Sequence, residues 1–197
     1  MIFISKLLRF SGRQIEQLFC LFRIVKLKLL YPGITIDFKT RIQKNCSISC
    51  VKEGRLTILK CDISSGTYIK ADIGSILSIR DSFIGRNCVI TAKEQVIINK
   101  NCLIAEMVVI RDQDHSMVPG NENREIQNFN VAPIEVKENV WIASKATILK
   151  GVTIGKNSVI AASAVVTQLV PPFELWGGIP AKFIKKINSN AGDSTSE

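Results

Sequence analysis

His115 is the only histidine in a chain of 197 residues, and two acids, Asp112 and Asp114, stand just before it. A neutral imidazole can take the proton of a hydroxyl as that hydroxyl attacks an acyl carbonyl. A nearby carboxylate or carbonyl can fix its tautomer. Either acid suits that second role, and their positions do not separate them. No serine or cysteine is paired with the histidine as a nucleophile, so the chemistry implied is direct transfer between two bound substrates. Six cysteines are present, without a CxxC spacing, and one histidine cannot make a three-histidine zinc site. No metal is expected. The second cluster with chemical potential is basic: Lys182 and Lys185 in AKFIKKI. As bare sequence this is a charge run, suited to anionic groups or to solvent.

These residues need elements to hold them, and the spacing of aliphatic residues says which. Val136, Ile142, Ile148, Ile154, Ile160 and Val166 follow one another at intervals of six. Small residues sit four positions after most of them: Ala146, Val152, Ser158 and Ala164. Neither a helix nor a pleated strand has that period. It predicts a mainly β chain wound as a parallel β-helix of hexapeptides, with each aliphatic side chain inside a prism and a small residue in each tight corner. The same phase appears in Ile84, Ile90 and Val96, and in Ile98, Ile104 and Ile110. Ile36, Ile42 and Ile48 suggest an early coil. Cys46, Cys88 and Cys102 lie four positions after prism isoleucines and read as corner fillers. All six cysteines are expected as free thiols, which fits a reducing, cytoplasmic setting. Hydrophobic residues make up 46% of the chain but aromatics only 7%, as a narrow prism requires.

The period predicts a solenoid over residues 33–170, broken once. From Ile110 to Val136 the chain advances 26 positions, not a multiple of six, through a polar stretch. Residues 111–135 therefore form a loop, and His115 lies in it. An irregular insertion in a regular solenoid has no packing purpose, and such loops commonly carry function. Residues 171–187 close the solenoid: Pro171-Pro172 ends the strand pattern, and residues 176–180 turn the chain back. Residues 188–197 read as a disordered tail.

Before the solenoid, residues 1–32 form a basic amphipathic helical segment. Lys6, Arg9, Arg13, Arg23, Lys26 and Lys28 face Glu16 alone, within a chain of net charge +9. Ser11-Gly12 suggests a break, so one or two helices are expected, and Tyr31-Pro32-Gly33 a stop. Capping the open end of the solenoid is the first role expected. Residues 1–30 also suit peripheral contact with an anionic membrane, which would place the protein at the inner face of the membrane. Nucleic acid is not expected, because no binding motif is present. Neither a secretory signal nor a membrane-spanning stretch stands out.

Three motifs carry a resemblance: IRDQDHSM at 110–117, VWIASKATILKGVTIGKNSVIAASAVVT at 140–167 and GGIPAKFIKKI at 177–187. In order and spacing they resemble the hexapeptide-repeat acyl-CoA O-acetyltransferases, the group of the maltose, galactoside, xenobiotic and polysaccharide acetyltransferases. The resemblance implies a left-handed β-helix of about three hexapeptides per coil, a homotrimer, and acetyl-CoA bound between subunits. It makes His115 the general base and Trp141 the indole lining the acceptor site. Ser144, Ala162 and Thr167 match positions along the pantetheine and adenine, and Lys182 and Lys185 match positions that meet CoA phosphates. The chain departs from the pattern at Ala143, at Ala161-Ala162-Ser163-Ala164 and at Gln168, where the family favours glycine, Gly-Ala-Gly-Ser and lysine. The function implied is acetyl transfer to a sugar hydroxyl in bacterial surface polysaccharide. A xenobiotic O-acetyltransferase is the alternative, and a non-enzymatic scaffold leaves His115 without a purpose.

Overall fold

The computed structural model describes residues 2–116 and 129–187, and for residues 2–13 the backbone course alone. The expected disordered tail and most of the expected loop lie outside the described residues. A helix, α1 (Ile2–Leu30), leads into six coils of a left-handed parallel β-helix. Each coil contributes one short strand to each of three faces. The first face stacks strands beginning with Ile34–Ile36 and ending with Thr153–Ile154. The second starts at Arg41–Ile42 and runs through Phe83–Ile84, Leu103–Ile104, Trp141–Ile142 and Val159–Ile160. The third runs from Ser47–Cys50 to Val165–Val166.

Strand pairing explains the period. Ile36, Ile58, Ile79, Ile98, Val136 and Ile154 lie in register on the first face. Ile42, Ile63, Ile84, Ile104, Ile142 and Ile160 do so on the second, and Ile48, Ile69, Ile90, Ile110, Ile148 and Val166 on the third. All point inward and are buried. The core is thus three columns of aliphatic side chains, each buried residue removing apolar surface from water for about 1.5–3 kcal/mol. Val96 does not continue the six-residue phase of Ile84 and Ile90 onto the first face. It pairs with Leu77 and Ile134, and Ile98 takes the column position, so a slip of two residues separates Ile90 from the next coil.

The long steps are not scattered. They fall on the corner joining the third face to the first, while the corner between the first and second faces only shortens from six positions to five, from Ile58 to Ile63 and from Ile79 to Ile84. From Ile48 to Ile58 and from Ile69 to Ile79 the chain advances ten positions, and from Ile90 to Ile98 eight. From Ile148 to Ile154 it advances six. The 26-position step from Ile110 to Val136 occupies the same corner.

The corner between the first and second faces is held instead by a column of small donors. Thr40 Oγ1 reaches Ile58 O, Cys61 Sγ reaches Ile79 O, Ser82 Oγ reaches Asn99 O, Cys102 Sγ reaches Lys137 O and Ser158 Oγ reaches Pro171 O. Cys46, Thr67 and Cys88 do the same at the corner between the second and third faces. Each links one coil to the next. The thiols are therefore more than fillers: they hydrogen-bond carbonyls a coil away. Burial pushes the Cys61 and Cys88 thiols up to about 11, which keeps them protonated as donors. All six cysteines are free.

Both ends of the stack are covered. At the first coil, α1 buries Ile24 against the core. Its Arg23 guanidinium donates to Ile42 O at 2.9 Å, and Cys20 Sγ accepts from Ile42 N at 3.1 Å. These side chains satisfy peptide groups that have no coil before them. The helix runs unbroken through Ser11-Gly12, so the segment is one helix and the expected break is not made. A glycine in a helix interior costs only about 1 kcal/mol relative to alanine, whereas the chain leaves the helix at Tyr31-Pro32-Gly33. At the last coil, the strand Glu174–Gly178 extends the second face and folds back on Ala181–Lys186 as an antiparallel hairpin. Trp176 takes the inward position beyond Ile160 and closes the prism with its ring, its indole N–H donating to Glu174 Oε2 at 2.8 Å.

Candidate functional site

The loop leaves the prism at Arg111 and returns at Ala132. Its two limbs pair as an antiparallel ribbon, with Gln113 opposite Val131, Asp114 opposite Asn130 and His115 opposite Phe129. The ribbon is rooted in the corner already widened in the coils before it. Asp112 is the root. Its carboxylate is completely buried and accepts the backbone N–H groups of Lys93, Glu94 and Gln95 at 2.8–3.0 Å, while its carbonyl accepts from Ala132 N. Ala132 O in turn accepts from Gly151 N. Asp112 therefore stitches the loop to the coil on one side and Ala132 to the coil on the other. This corrects its expected part in the chemistry: both oxygens are held by backbone and the side chain has no exposed surface. It positions the loop.

Asp114 lies on the ribbon's exposed side. It forms an ion pair with Lys150 of the next coil and a side-chain hydrogen bond with Asn130. The Lys150 contact, chiefly, holds its carboxyl below the ordinary value, with smaller help from His115. Asp114 remains ionised beside the imidazole, but its carboxylate is directed to Lys150. The ring of His115 packs on Phe129, with centroids 4.4 Å apart and planes tilted by 40°. Phe129 is itself covered by Lys93, whose ammonium lies 3.9 Å from the ring centroid, a contact worth about 0.5–1 kcal/mol when exposed. Lys93 also pairs with Asp72 one coil earlier. The histidine thus stands exposed on a ribbon braced from both sides, with its imidazole open to a reactant.

Phe129, Lys93 and Lys150 were not among the residues expected at the site. Phe129 and Lys93 meet only because the ribbon brings its second limb across, and limb pairing over a 13-residue gap leaves no periodic trace in the sequence.

The remaining candidates occupy other parts of the prism. Trp141 points outward from the second face, half exposed, between Leu103 of the preceding coil and Val159 of the next. With Phe83 it forms an exposed apolar column along that face. Ser144 and Ala162 lie one coil apart on the corner between the second and third faces, where Ser144 O accepts from Ser163 N. Ala162 is exposed there and Ser144 half-buried. Thr167 is exposed just past the last strand of the third face. Lys182 and Lys185 are exposed on the terminal hairpin, opposite Gly177 and Leu175. Gly177 is tightly enclosed: a Cβ there would lie 2.9 Å from Ala161 Cβ. The fold therefore gathers Trp141, Ser144, Ala162 and the two lysines around one end of the second face and its far corner. His115 stands on a different corner. A single chain presents the two halves on separate edges.

Residues 133–168 match the family described as bacterial transferase hexapeptide (six repeats). The chain is 37% identical over 110 residues to galactoside O-acetyltransferase of Escherichia coli, a match covering 55% of this chain and 53% of that enzyme. It spans roughly half to two thirds of the length of the curated relatives it matches. Among solved structures, AntD, an N-acyltransferase of Bacillus cereus crystallised with dTDP and coenzyme A, superposes with a TM-score of 0.68 at 16% identity, covering 83% of this chain and 89% of that one. The polySia-specific acetyltransferase NeuO superposes with a TM-score of 0.54 at 24% identity, over 84% and 93% of the two chains. At these identities the two superpositions establish the fold.

Proposed function

We propose that this chain, which belongs to the hexapeptide-repeat acetyltransferase family, moves an acetyl group from acetyl-CoA to a sugar hydroxyl. The observation that carries the reading is the exposed imidazole of His115 on a braced ribbon, with no other histidine in the chain. His115 takes the proton of the acceptor hydroxyl. The oxygen attacks the thioester carbonyl, and the tetrahedral oxyanion collapses with cleavage of the C–S bond. The CoA thiolate leaves and recovers the proton from the imidazolium. Asp114, held ionised, favours the imidazolium that forms, while Asp112 keeps the ribbon seated.

The cofactor would lie along the second face and its far corner. Small residues at Ser144, Ala162 and Thr167 let a pantetheine approach the backbone, and Lys182 and Lys185 offer their charges to the phosphates. Apart from Thr167, which lies on the ribbon's own corner, those groups and His115 occupy separate edges of one chain, so a complete site needs a neighbouring copy. The outward column of Phe83, Leu103 and Trp141 is an apolar surface suited to that contact. A homotrimer is the assembly that closes such a ring. Sedimentation equilibrium is expected to give three times the chain mass, and a stable monomer at assay concentration would remove the shared site.

The acceptor proposed is a sugar of bacterial surface polysaccharide or its precursor. The test is a panel of monosaccharides, glycosides and polysaccharide fragments incubated with acetyl-CoA and the protein, with acetylated product read by mass spectrometry. Product on a sugar hydroxyl supports the reading; product only on amines, or none, rejects it. Lys182→Ala and Lys185→Ala are each expected to raise the acetyl-CoA KM more than they lower kcat. A phosphate far from the reacting carbon contributes binding that is the same in ground and transition states. A pure kcat effect would remove both residues from the phosphate site.

A further inference from the structure

The helix α1 has two apolar faces, and the solenoid uses one. Cys20, Ile24 and Leu27 turn toward the first coil. On the opposite side, Ile15, Leu18, Phe19, Phe22, Val25 and Leu29 stand exposed, Phe22 at 67% and Leu29 at 79%. Their spacing of three and four positions lays them in one stripe along the helix. Capping the coil accounts for the first face and leaves the second unexplained. Six large exposed side chains in one stripe exceed the scattered apolar residues of an ordinary surface.

The charges beside the stripe indicate its occupant. Lys26 is exposed at a position that falls within the stripe, and Lys28 is exposed with its ammonium 4.9 Å from the ring of Phe38, itself exposed. The single acid of the segment, Glu16, is paired to Arg23 at 2.8 Å. The segment therefore presents unopposed positive charge around an apolar strip. A second copy of α1 set against this face would bring Lys26 toward Lys26, whereas an anionic lipid surface complements it. Among the described residues no helix is long and apolar enough to cross a membrane, so the geometry is that of a helix lying in the interface.

We infer that the outer face of α1 docks the protein on anionic lipid, with Phe19, Phe22 and Leu29 entering the acyl boundary and Lys26 and Lys28 meeting headgroup phosphates. The inference stands apart from acetyl transfer, because vesicle binding is read without any acceptor or cofactor. The full chain is floated with phosphatidylcholine vesicles containing about 30% phosphatidylglycerol, and with phosphatidylcholine alone. Binding is expected for the anionic vesicles, and it should weaken sharply near 1 M salt, where the screening length is about 3 Å. Lys26→Ala with Lys28→Ala should weaken it by about fivefold per lysine removed. Leu18→Ser with Phe22→Ser should abolish it without changing the melting temperature, since both side chains are exposed. Absence of flotation on anionic vesicles overturns the inference. So does flotation unchanged in Leu18→Ser/Phe22→Ser while the assembly falls to smaller species: the stripe would then be covered by a second copy.

Discussion

His115→Ala is expected to fold with the melting temperature of the parent chain and to lose about 10²–10⁴-fold of its acetyl transfer, the usual cost of removing a general base. The stability half of this expectation follows from exposure. The ring touches Phe129 on a surface ribbon and supports nothing in the prism. The rate half follows from the absence of a substitute. No other histidine exists in the chain, Asp112 is buried against backbone, and Asp114 is occupied by Lys150. The KM for acetyl-CoA should stay within a few-fold, because most groups assigned to the cofactor, Ser144, Ala162, Lys182 and Lys185, lie on another edge. His115→Gln is a useful companion, keeping a planar polar side chain without an imidazole. It should be as inactive as the alanine variant. Either variant retaining activity within about threefold of the parent in steady-state assays would take His115 out of the mechanism.

Asp112→Ala is expected to fail differently. Three N–H groups, of Lys93, Glu94 and Gln95, lose the buried carboxylate that accepts from them, and the ribbon loses its foot. A hydrogen bond to a charged group contributes about 1.5–3 kcal/mol, so the variant should be destabilised by several kcal/mol, with a lowered midpoint in denaturant. Transfer should fall as well, through misplacement of His115. Asp112→Asn retains one acceptor oxygen and should recover part of the stability. Thermal and denaturant melts alongside kcat separate the possibilities. A variant with normal stability and a collapsed kcat would return Asp112 to the reacting groups.

The readable part of this protein was the part governed by period. Inward aliphatic residues recur because each must fall into the same column, so Val136 to Val166 announces the prism without any knowledge of pairing. The upstream coils were harder for a physical reason. Extra residues at one corner and five-residue steps at another shift the phase, and Val96 mimics a continuation that the strand actually gives to Ile98. The site was legible at His115, since an interruption of the period is itself a signal. It was not legible in Asp112, whose type and position beside a histidine suggest chemistry while its burial makes it structural. Nor could the bracing by Lys93, Phe129 and Lys150 be read, because those contacts join three different coils and the far limb of a ribbon. The helix break expected at Ser11-Gly12 failed because local propensity is weak beside the continuity of a long helix.

The uneven corners of the prism have a consequence for how such a protein acquires new capabilities. Two of its edges are laced coil to coil by hydroxyl and thiol donors, and their steps stay at five or six positions. The remaining edge carries steps of six, eight, ten and 26 positions without disturbing the columns on any face. It behaves as a seam where sequence can be grafted cheaply. Grafts along it all emerge on one side, stacked at the strand spacing of about 4.8 Å, within reach of side chains from the coils above and below. Lys93, touching both Asp72 and the ribbon's Phe129, illustrates that reach. A designer wishing to give this scaffold a second loop, or to move the histidine one coil along, should cut within residues 72–75 and leave the laced edges alone.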